Sequence, residues 1–180
     1  VFDESFASVA PQDSDGRAIV VGGVSKSYAM TGFRVGWSIA SVPVAQLVSK
    51  LQEPYTSCTC SVSQRAAEAA LAGPQACVQK MAQAYQSRRD VALDVLREHD
   101  LYQYTPGGAF YLLIDINASG MDSYDFAKTL LAEQSVAVAP GGTFGKNSDQ
   151  QIRISLASSE ENIREGVRRI CQFIVHRVSR

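Results

Sequence analysis

The sequence lacks the features that mark several specialised classes of protein. No apolar run approaches the about 20 residues that a membrane-spanning helix requires, and the net charge of -1 leaves no basic excess for nucleic acid or acidic lipid. Four cysteines in 180 residues are too few for a disulfide scaffold, and the pair Cys58 and Cys60 has no second pair with which to hold zinc. The sequence therefore predicts free thiols in a reducing, cytoplasmic compartment, no metal, and no nucleic-acid or membrane partner.

The start of the chain is also unusual. It opens on Val1, and its first methionine is Met30. We therefore expect these residues to be a piece of a longer polypeptide, so that no targeting signal can be assessed from them.

Apolar periodicity predicts an α/β or α+β organisation. From residue 74 onward the pattern reads long helix, strand, helix, strand, strand and helix, as in a layer of helices against one sheet, whereas residues 1–73 hold too few strands to close a sheet. Strands are predicted at 18–22, 35–40, 109–116, 136–139 and 151–157. Helices are predicted from Pro43 onward, at 61–71, 74–99 and 123–134, and after a cap at Ser159.

The same periodicity predicts which side chains face the core. In the helix at 123–134 we expect Phe126, Leu130 and Leu131 to point inward. The strand at 151–157 should bury one face and turn Arg153 and Ser155 to the other. The buried face of that strand and the buried stripe of the last helix are predicted to consist of Ile152, Ile154, Leu156, Ile163, Val167, Ile170, Cys171 and Ile174.

The densest group of chemically active residues follows the first predicted strand. Lys26 comes directly after it between small residues, which places the amine in a crevice where desolvation lets a lysine lose its proton and attack a carbonyl. Arg34 lies eight residues further on, and its planar guanidinium matches the oxygens of a phosphate. On the residues alone, a site for a phosphorylated carbonyl compound and a pair of solvated loop cations both remain open.

Residues 25–37 read Ser-Lys-Ser-Tyr-Ala-Met-Thr-Gly-Phe-Arg-Val-Gly-Trp. This stretch resembles the lysine signature of the class I, fold-type I pyridoxal-phosphate aminotransferases, in the branch similar to aspartate aminotransferase. Three later stretches resemble the same family: Pro-Gly-Gly-Ala-Phe-Tyr at 106–111, Val-Ala-Val-Ala-Pro-Gly-Gly-Thr-Phe-Gly at 136–145 and Ile-Arg-Ile-Ser-Leu-Ala at 152–157. The resemblance implies the C-terminal part of the PLP-dependent transferase fold, which is α/β. Residues 1–73 would be part of the large cofactor domain, and residues 74–180 the interdomain helix and the small domain.

The resemblance also implies roles for three residues. Lys26 would bind pyridoxal phosphate covalently and move the proton at the substrate Cα, Arg34 would hold the cofactor phosphate, and Arg153 would pair with the substrate α-carboxylate. The sequence departs from the usual family pattern at Phe33, where the branch usually has tryptophan, and at Gly23, where many relatives carry a hydroxyl that binds the phosphate.

The activity that the resemblance implies is the transfer of an amino group from an aspartate-type or aromatic amino acid to a 2-oxo acid such as 2-oxoglutarate, by a homodimer. A pyridoxal-phosphate carbon–sulfur β-lyase and a truncated, non-catalytic product remain the alternatives. The family sets an aspartate against the pyridine nitrogen, but we interpret Asp3 as a loop acid rather than as that residue. We therefore expect the 180 residues alone to be inactive.

Overall fold

The computed structural model describes Asp13 and residues 15–178. The chain divides into two compact units, one of which ends at Lys80 while the other begins at Met81. The interpretation of Asp3 as a loop acid lies outside the described residues, and the domain boundary between residues 73 and 74 stays a prediction. Within the described part of the chain, no helix is long and apolar enough to cross a membrane.

The first unit holds a two-stranded antiparallel sheet of β1 (Val20–Gly23) and β2 (Gly36–Ile39). Both strands were expected from the sequence, with slightly different bounds. The expectation that the first strand is buried is wrong, because Val21 is 78% exposed and the burial of β1 alternates between partial and none. Apolar β-branched residues favour a strand, but they do not reveal whether a second layer covers it.

Three helices follow this sheet: α1 (Val42–Thr56), α2 (Ser61–Ala72) and α3 (Ala76–Glu98), which runs across the boundary between the units. Ser41 occupies the N-cap position of α1 and Pro43 lies in its first turn, where the missing N–H of proline costs no hydrogen bond. Gly73 ends α2, and its N–H donates to the Ala69 carbonyl. These boundaries lie within a few residues of those expected.

The second unit is built on a three-stranded sheet with β5 (Gln151–Ser155) in its centre. One neighbour is β3 (Tyr111–Asp115) and the other is β4 (Ala139–Pro140), and both pairings are antiparallel. The helices α4 (Ser123–Gln134) and α5 (Glu160–Val178) complete the unit together with the C-terminal part of α3. The predicted helix at 123–134 is confirmed at both ends.

One apolar core joins this sheet to its helices. The stripe predicted for the last helix and the face predicted for the last strand are buried, at 9% exposure or less for every member. In α4, Phe126 and Leu130 are buried as expected, but Leu131 is 54% exposed and Ala127 takes the inward position instead. The buried face of α4 consists of Ser123, Phe126, Ala127 and Leu130, and Leu131 lies outside it.

The shortest strand is much shorter than expected. The sequence predicts a strand at 136–139, yet only Ala139 and Pro140 pair with β5. Val136 and Val138 pack against the core while only partly buried. The strand is short because residues 136–138 do not pair with β5. At its other end, Pro140 has no N–H to donate and the chain turns into a 3-10 helix at Gly141, so that the pairing ends one residue beyond the predicted bound.

Side chains cap both long helices of the second unit. Asp122 accepts hydrogen bonds from the N–H groups of Tyr124 and Asp125, each at 2.9 Å, at the start of α4. Ser159 accepts one from the Asn162 N–H at 3.2 Å at the start of α5, which confirms the predicted cap. Both caps satisfy N–H groups that have no partner within the helix.

The contrast between Leu130 and Leu131 gives a test of the core. We expect Leu130→Ala to lower the free energy of unfolding by about 2–5 kcal/mol, because it removes a fully buried side chain and leaves a cavity. Leu131→Ala, one residue away and half exposed, should change it by no more than about 0.5 kcal/mol. Urea denaturation followed by circular dichroism measures both, and equal losses would show that the assigned face of α4 is incorrect.

Candidate active site

Lys26 and Arg34 lie in one connection, residues 24–35, which joins β1 to β2. The last strand pair is Gly23 with Gly36, and beyond it the Val24 N–H donates to the Val35 carbonyl at 3.3 Å. The connection therefore starts and ends at the same end of the two-stranded sheet. The structure therefore places both predicted cationic residues, Lys26 and Arg34, in one loop whose two ends are held together by strand pairing.

The backbone around Lys26 forms a tight turn. The Tyr28 N–H donates to the Val24 carbonyl at 3.3 Å, and the Ala29 N–H donates to the Lys26 carbonyl at 3.1 Å. Val24 is fully buried and anchors the turn, whereas the Lys26 side chain is exposed. The expectation that Lys26 lies in a crevice is therefore not met within this unit.

Arg34 has an unusual backbone conformation. It follows the 3-10 turn Thr31–Phe33 in the left-handed region, with φ 56° and ψ 46°, and its Nη1 donates to the Thr31 carbonyl at 2.8 Å. For a residue other than glycine, this left-handed conformation costs about 1–2 kcal/mol of conformational energy relative to the right-handed one. Such strain is common where a loop must present a group to a ligand. One N–H of the guanidinium holds the turn, and a guanidinium has five.

The glycines in and beside this connection differ in whether neighbouring atoms leave room for a side chain. A Cβ at Gly22 would lie 2.6 Å from Trp37 Cε2, and one at Gly36 would lie 2.9 Å from the Gly22 carbonyl oxygen. Strand packing therefore explains both. A Cβ at Gly32 would meet nothing within 4 Å, so that packing among the described residues does not require that glycine.

Arg153 lies on the central strand of the second unit, on the face opposite the core. Its neighbours Ile152 and Ile154 are buried, while Arg153 itself is partly buried. Two aromatic rings flank its guanidinium: the Tyr111 ring centroid lies 4.2 Å from the guanidinium carbon, and the Phe144 ring centroid lies 4.3 Å from it. Both distances are within the about 6 Å that a cation–π contact requires.

The edges of that guanidinium have no acceptor within the part of the chain that the structure describes. Asp115 belongs to the same face of β3, but its Oδ1 accepts a hydrogen bond from the Asn117 N–H at 2.7 Å. No described carboxylate lies within ion-pairing distance of Arg153. A partly buried cation with open N–H edges is suited to a planar anion such as a carboxylate.

The sequence profile of the family described as aminotransferase class I and II matches residues 1–170. This chain belongs to that family. A putative aminotransferase of Bacillus subtilis, YugH, is 36% identical over 174 residues, which cover 96% of this chain and 45% of that protein. A probable aspartate/prephenate aminotransferase of Rickettsia felis is 39% identical over 177 residues, which cover 92% of this chain and 42% of that protein. The chain thus spans less than half the length of these relatives.

Solved aminotransferase structures show the same fold. An aromatic aminotransferase from Pyrococcus horikoshii superposes with a TM-score of 0.84 at 34% identity, over 90% of this chain and 44% of that one. An aspartate aminotransferase from Thermotoga maritima superposes with a TM-score of 0.81 at 36% identity, over 89% of this chain and 40% of that one. The fold is therefore that of the PLP-dependent transferases, as expected from the sequence.

Two residues that contact Arg153 were not found from the sequence. Tyr111 and Phe144 both lie in stretches that resemble the family, but no role was assigned to either. For Tyr111 the sequence held a partial signal, because strand alternation places Tyr111 and Leu113 on one face. The pairing of Leu113 with Arg153 shows that this is the face on which Arg153 lies. For Phe144 no periodic signal exists, because it lies in an irregular turn.

The cysteines are free thiols, with Cys58, Cys60 and Cys77 exposed and Cys171 buried. Burial raises the pKa of the Cys171 thiol to about 11. At the first turn of α2, the backbone N–H groups of Ser63 and Val62 stabilise the Cys60 thiolate and lower its pKa. Among the described residues, no group of three histidine, cysteine or acidic side chains could hold a metal ion.

The lowered pKa of Cys60 predicts alkylation at lower pH than for an ordinary thiol. In a variant with Cys58→Ser and Cys77→Ser, we measure the rate of iodoacetamide labelling at Cys60 as a function of pH. We expect its midpoint to lie at lower pH than in an unfolded peptide with the same local sequence. The thiolate is the reactive form, and the start of the helix stabilises it only in the folded chain. Coincident profiles, measured by mass spectrometry, would contradict this effect of the helix.

Proposed function

We propose that this chain carries the amine, phosphate and carboxylate anchors of an aminotransferase. The enzyme would move an amino group from an aspartate-type or aromatic amino acid to a 2-oxo acid such as 2-oxoglutarate, so that the donor leaves as a 2-oxo acid. The observation that carries the proposal is Arg153, a partly buried guanidinium that contacts two aromatic rings and has no hydrogen-bond acceptor among the described residues.

The residues of the β1–β2 connection fit pyridoxal phosphate, the cofactor that this family uses. The cofactor has an aldehyde and a phosphate, and the connection offers a primary amine at Lys26 and a guanidinium at Arg34. When bound, it supplies an electron sink for the electron pair that remains on the substrate Cα after its proton leaves. The Lys26 amine therefore matches the aldehyde of the cofactor, and the Arg34 guanidinium matches its phosphate.

Within this proposal each residue has a separate task. The Lys26 Nζ would hold the cofactor covalently, and its free amine would act as the base that takes the proton from the substrate Cα. Arg34 would neutralise the phosphate, and its left-handed backbone conformation sets the direction in which its side chain leaves the loop. Arg153 orients the substrate by its α-carboxylate, which sets the Cα–H bond towards the base.

The choice of donor follows the relatives. One is named for aspartate and prephenate and another for aromatic substrates, and we propose donors of those two types for this chain. We further propose that the enzyme is a cytoplasmic homodimer. The 180 residues by themselves are proposed to be inactive, because we interpret Asp3 as a loop acid and not as the acid that the family sets against the pyridine nitrogen.

The covalent role of Lys26 is tested in the complete polypeptide that contains these residues. After incubation with pyridoxal phosphate and reduction with borohydride, we expect one cofactor on the Lys26 peptide by mass spectrometry. Lys26→Ala should lose both this label and transamination, because the amine is removed. Lys50→Ala, which removes an exposed lysine of α1 in the same unit, should keep both. Ordinary turnover by Lys26→Ala would refute the assignment.

The role of Arg153 is tested by keeping its charge and removing its planar fork. We expect Arg153→Lys to lower kcat/KM for amino acids by roughly 100-fold, or about 3 kcal/mol of transition-state binding. Amine substrates that lack a carboxylate should be much less affected.

The control for this test is Arg164→Lys, which alters an exposed arginine of α5 and should leave both substrate types unchanged. Equal losses for both substrate types in Arg153→Lys would show that Arg153 only supports the fold. Release of ammonia and pyruvate without an acceptor oxo acid would instead identify a carbon–sulfur β-lyase.

A further inference from the structure

The turn that carries Phe144 is fastened to the start of α4 by a buried hydroxyl. Ser123 is fully buried, and its Oγ donates to Asp149 Oδ1 at 2.9 Å while it accepts from the Gly142 N–H at 3.0 Å. Both hydrogen-bonding functions of the hydroxyl are therefore used. The result is a three-membered chain, Asp149 to Ser123 to Gly142, which we call the serine bridge.

The serine bridge holds the turn so closely that no side chain fits at its contact point. A Cβ at Gly142 would lie 2.8 Å from Asp149 Oδ1 and 3.1 Å from Ser123 Oγ. One at Gly141 would lie 2.0 Å from the Ser148 carbonyl oxygen. The pair of glycines after Pro140 is thus explained by close approach to the bridge and to the neighbouring backbone.

Phe144 lies two residues beyond this contact, at the end of the 3-10 turn Gly141–Phe144. The Thr143 Oγ1 donates to the Pro140 carbonyl at 2.6 Å, which tightens the turn further. The Phe144 side chain is 51% exposed, so that core packing does not determine its position. Its ring nevertheless lies 4.3 Å from the guanidinium carbon of Arg153.

We propose that Ser123 and Asp149 position the Phe144 ring, and that Phe144 and Tyr111 together hold the Arg153 guanidinium with its N–H edge open for a substrate carboxylate. The inference rests on the proposed function, because the carboxylate is the substrate group assigned to Arg153. Phe144, Tyr111, Ser123 and Asp149 are positioning residues in this scheme, since they act through Arg153.

The physical reason lies in the shape of the guanidinium. Its faces are weakly hydrated and stack on rings at little cost, whereas its in-plane N–H groups are the ones that bind a carboxylate in two parallel hydrogen bonds. A long side chain that is free to rotate loses conformational entropy when it binds. Contacts with the Tyr111 and Phe144 rings remove part of that freedom before the substrate arrives, and in this scheme they leave the N–H edge available to the carboxylate.

The first experiment observes Arg153 directly, without turnover. In 15N-labelled chain, the Arg153 Nε–Hε resonance should be displaced by the two rings and should show restricted motion in the heteronuclear NOE. We expect Phe144→Leu and Ser123→Ala to increase this motion and to shift the resonance. Phe144→Tyr keeps a ring and should retain the wild-type values.

The matched control for the bridge is Ser119→Ala. The Ser119 hydroxyl also donates to a carbonyl, that of Ile116 at 2.6 Å, and accepts from a backbone N–H, that of Met121 at 3.3 Å, but it is not part of the serine bridge. We expect this variant to lose a similar pair of hydrogen bonds and to leave the Arg153 resonance unchanged. Because Phe144 is half exposed, Phe144→Leu should fold even if Ser123→Ala does not, which circular dichroism checks.

The second experiment measures kinetics in the complete polypeptide. Phe144→Leu should raise KM for amino acid substrates and lower kcat/KM by roughly 3- to 10-fold, with a smaller change in kcat. Amines without a carboxylate should show no such change, and Phe144→Tyr should restore the wild-type value. A merely structural role for Phe144 would instead affect both classes of substrate equally.

The outcomes separate this inference from the proposed function. If Phe144→Leu leaves the Arg153 resonance and the KM unchanged while Arg153→Lys still loses activity towards carboxylates, the positioning inference is wrong and the proposed function stands. If Arg153→Lys loses no carboxylate preference, the proposed function fails. An unchanged Arg153 resonance in both Phe144→Leu and a folded Ser123→Ala would overturn the positioning inference by itself.

Discussion

The register between β3 and β5 is the constraint on which the second unit and its arginine both depend. The pairs run from Tyr111 with Ser155 to Asp115 with Gln151, and alternation along β5 sends Ile152 into the core and Arg153 to the opposite face. A slip by one residue would exchange the two faces and bury the guanidinium. The burial that stabilises the unit therefore also places the cation. No additional interaction is needed to select the face.

Much of the fold could be predicted because it follows local periodicity. The bounds of α4, the stripe of α5 and the alternation of β5 all depend on spacing within one segment. The errors arose where a segment depends on its neighbours. Leu131 satisfies a helical pattern but lies outside the buried face of α4, and Val21 satisfies a strand pattern on a face that nothing described covers.

Some residues of the candidate site could likewise be predicted from local sequence, and others could not. Lys26, Arg34 and Arg153 were predicted because each stands in a stretch of fixed spacing that resembles the family, and their roles stay proposals. Ser123 could not be predicted, because its partners Asp149 and Gly142 lie 26 and 19 residues away along the chain. As the first residue of a helix, a serine is commonplace. Its significance comes from complete burial and from the use of both its hydrogen-bonding functions.

The two units differ in how they determine the geometry of their cations. In the first unit, the apolar side chains that the structure shows as buried are Val24 and Ala67, and the lysine turn depends on backbone hydrogen bonds and on strand pairing. In the second unit, Arg153 stands on the central strand of a sheet whose other face is packed into a continuous core. Local opening has a lower free-energy cost where fewer apolar contacts must be broken. The guanidinium that we assign to the carboxylate is therefore the more rigidly supported group, and preorganisation of this kind gives the larger gain where a planar, two-point contact must form.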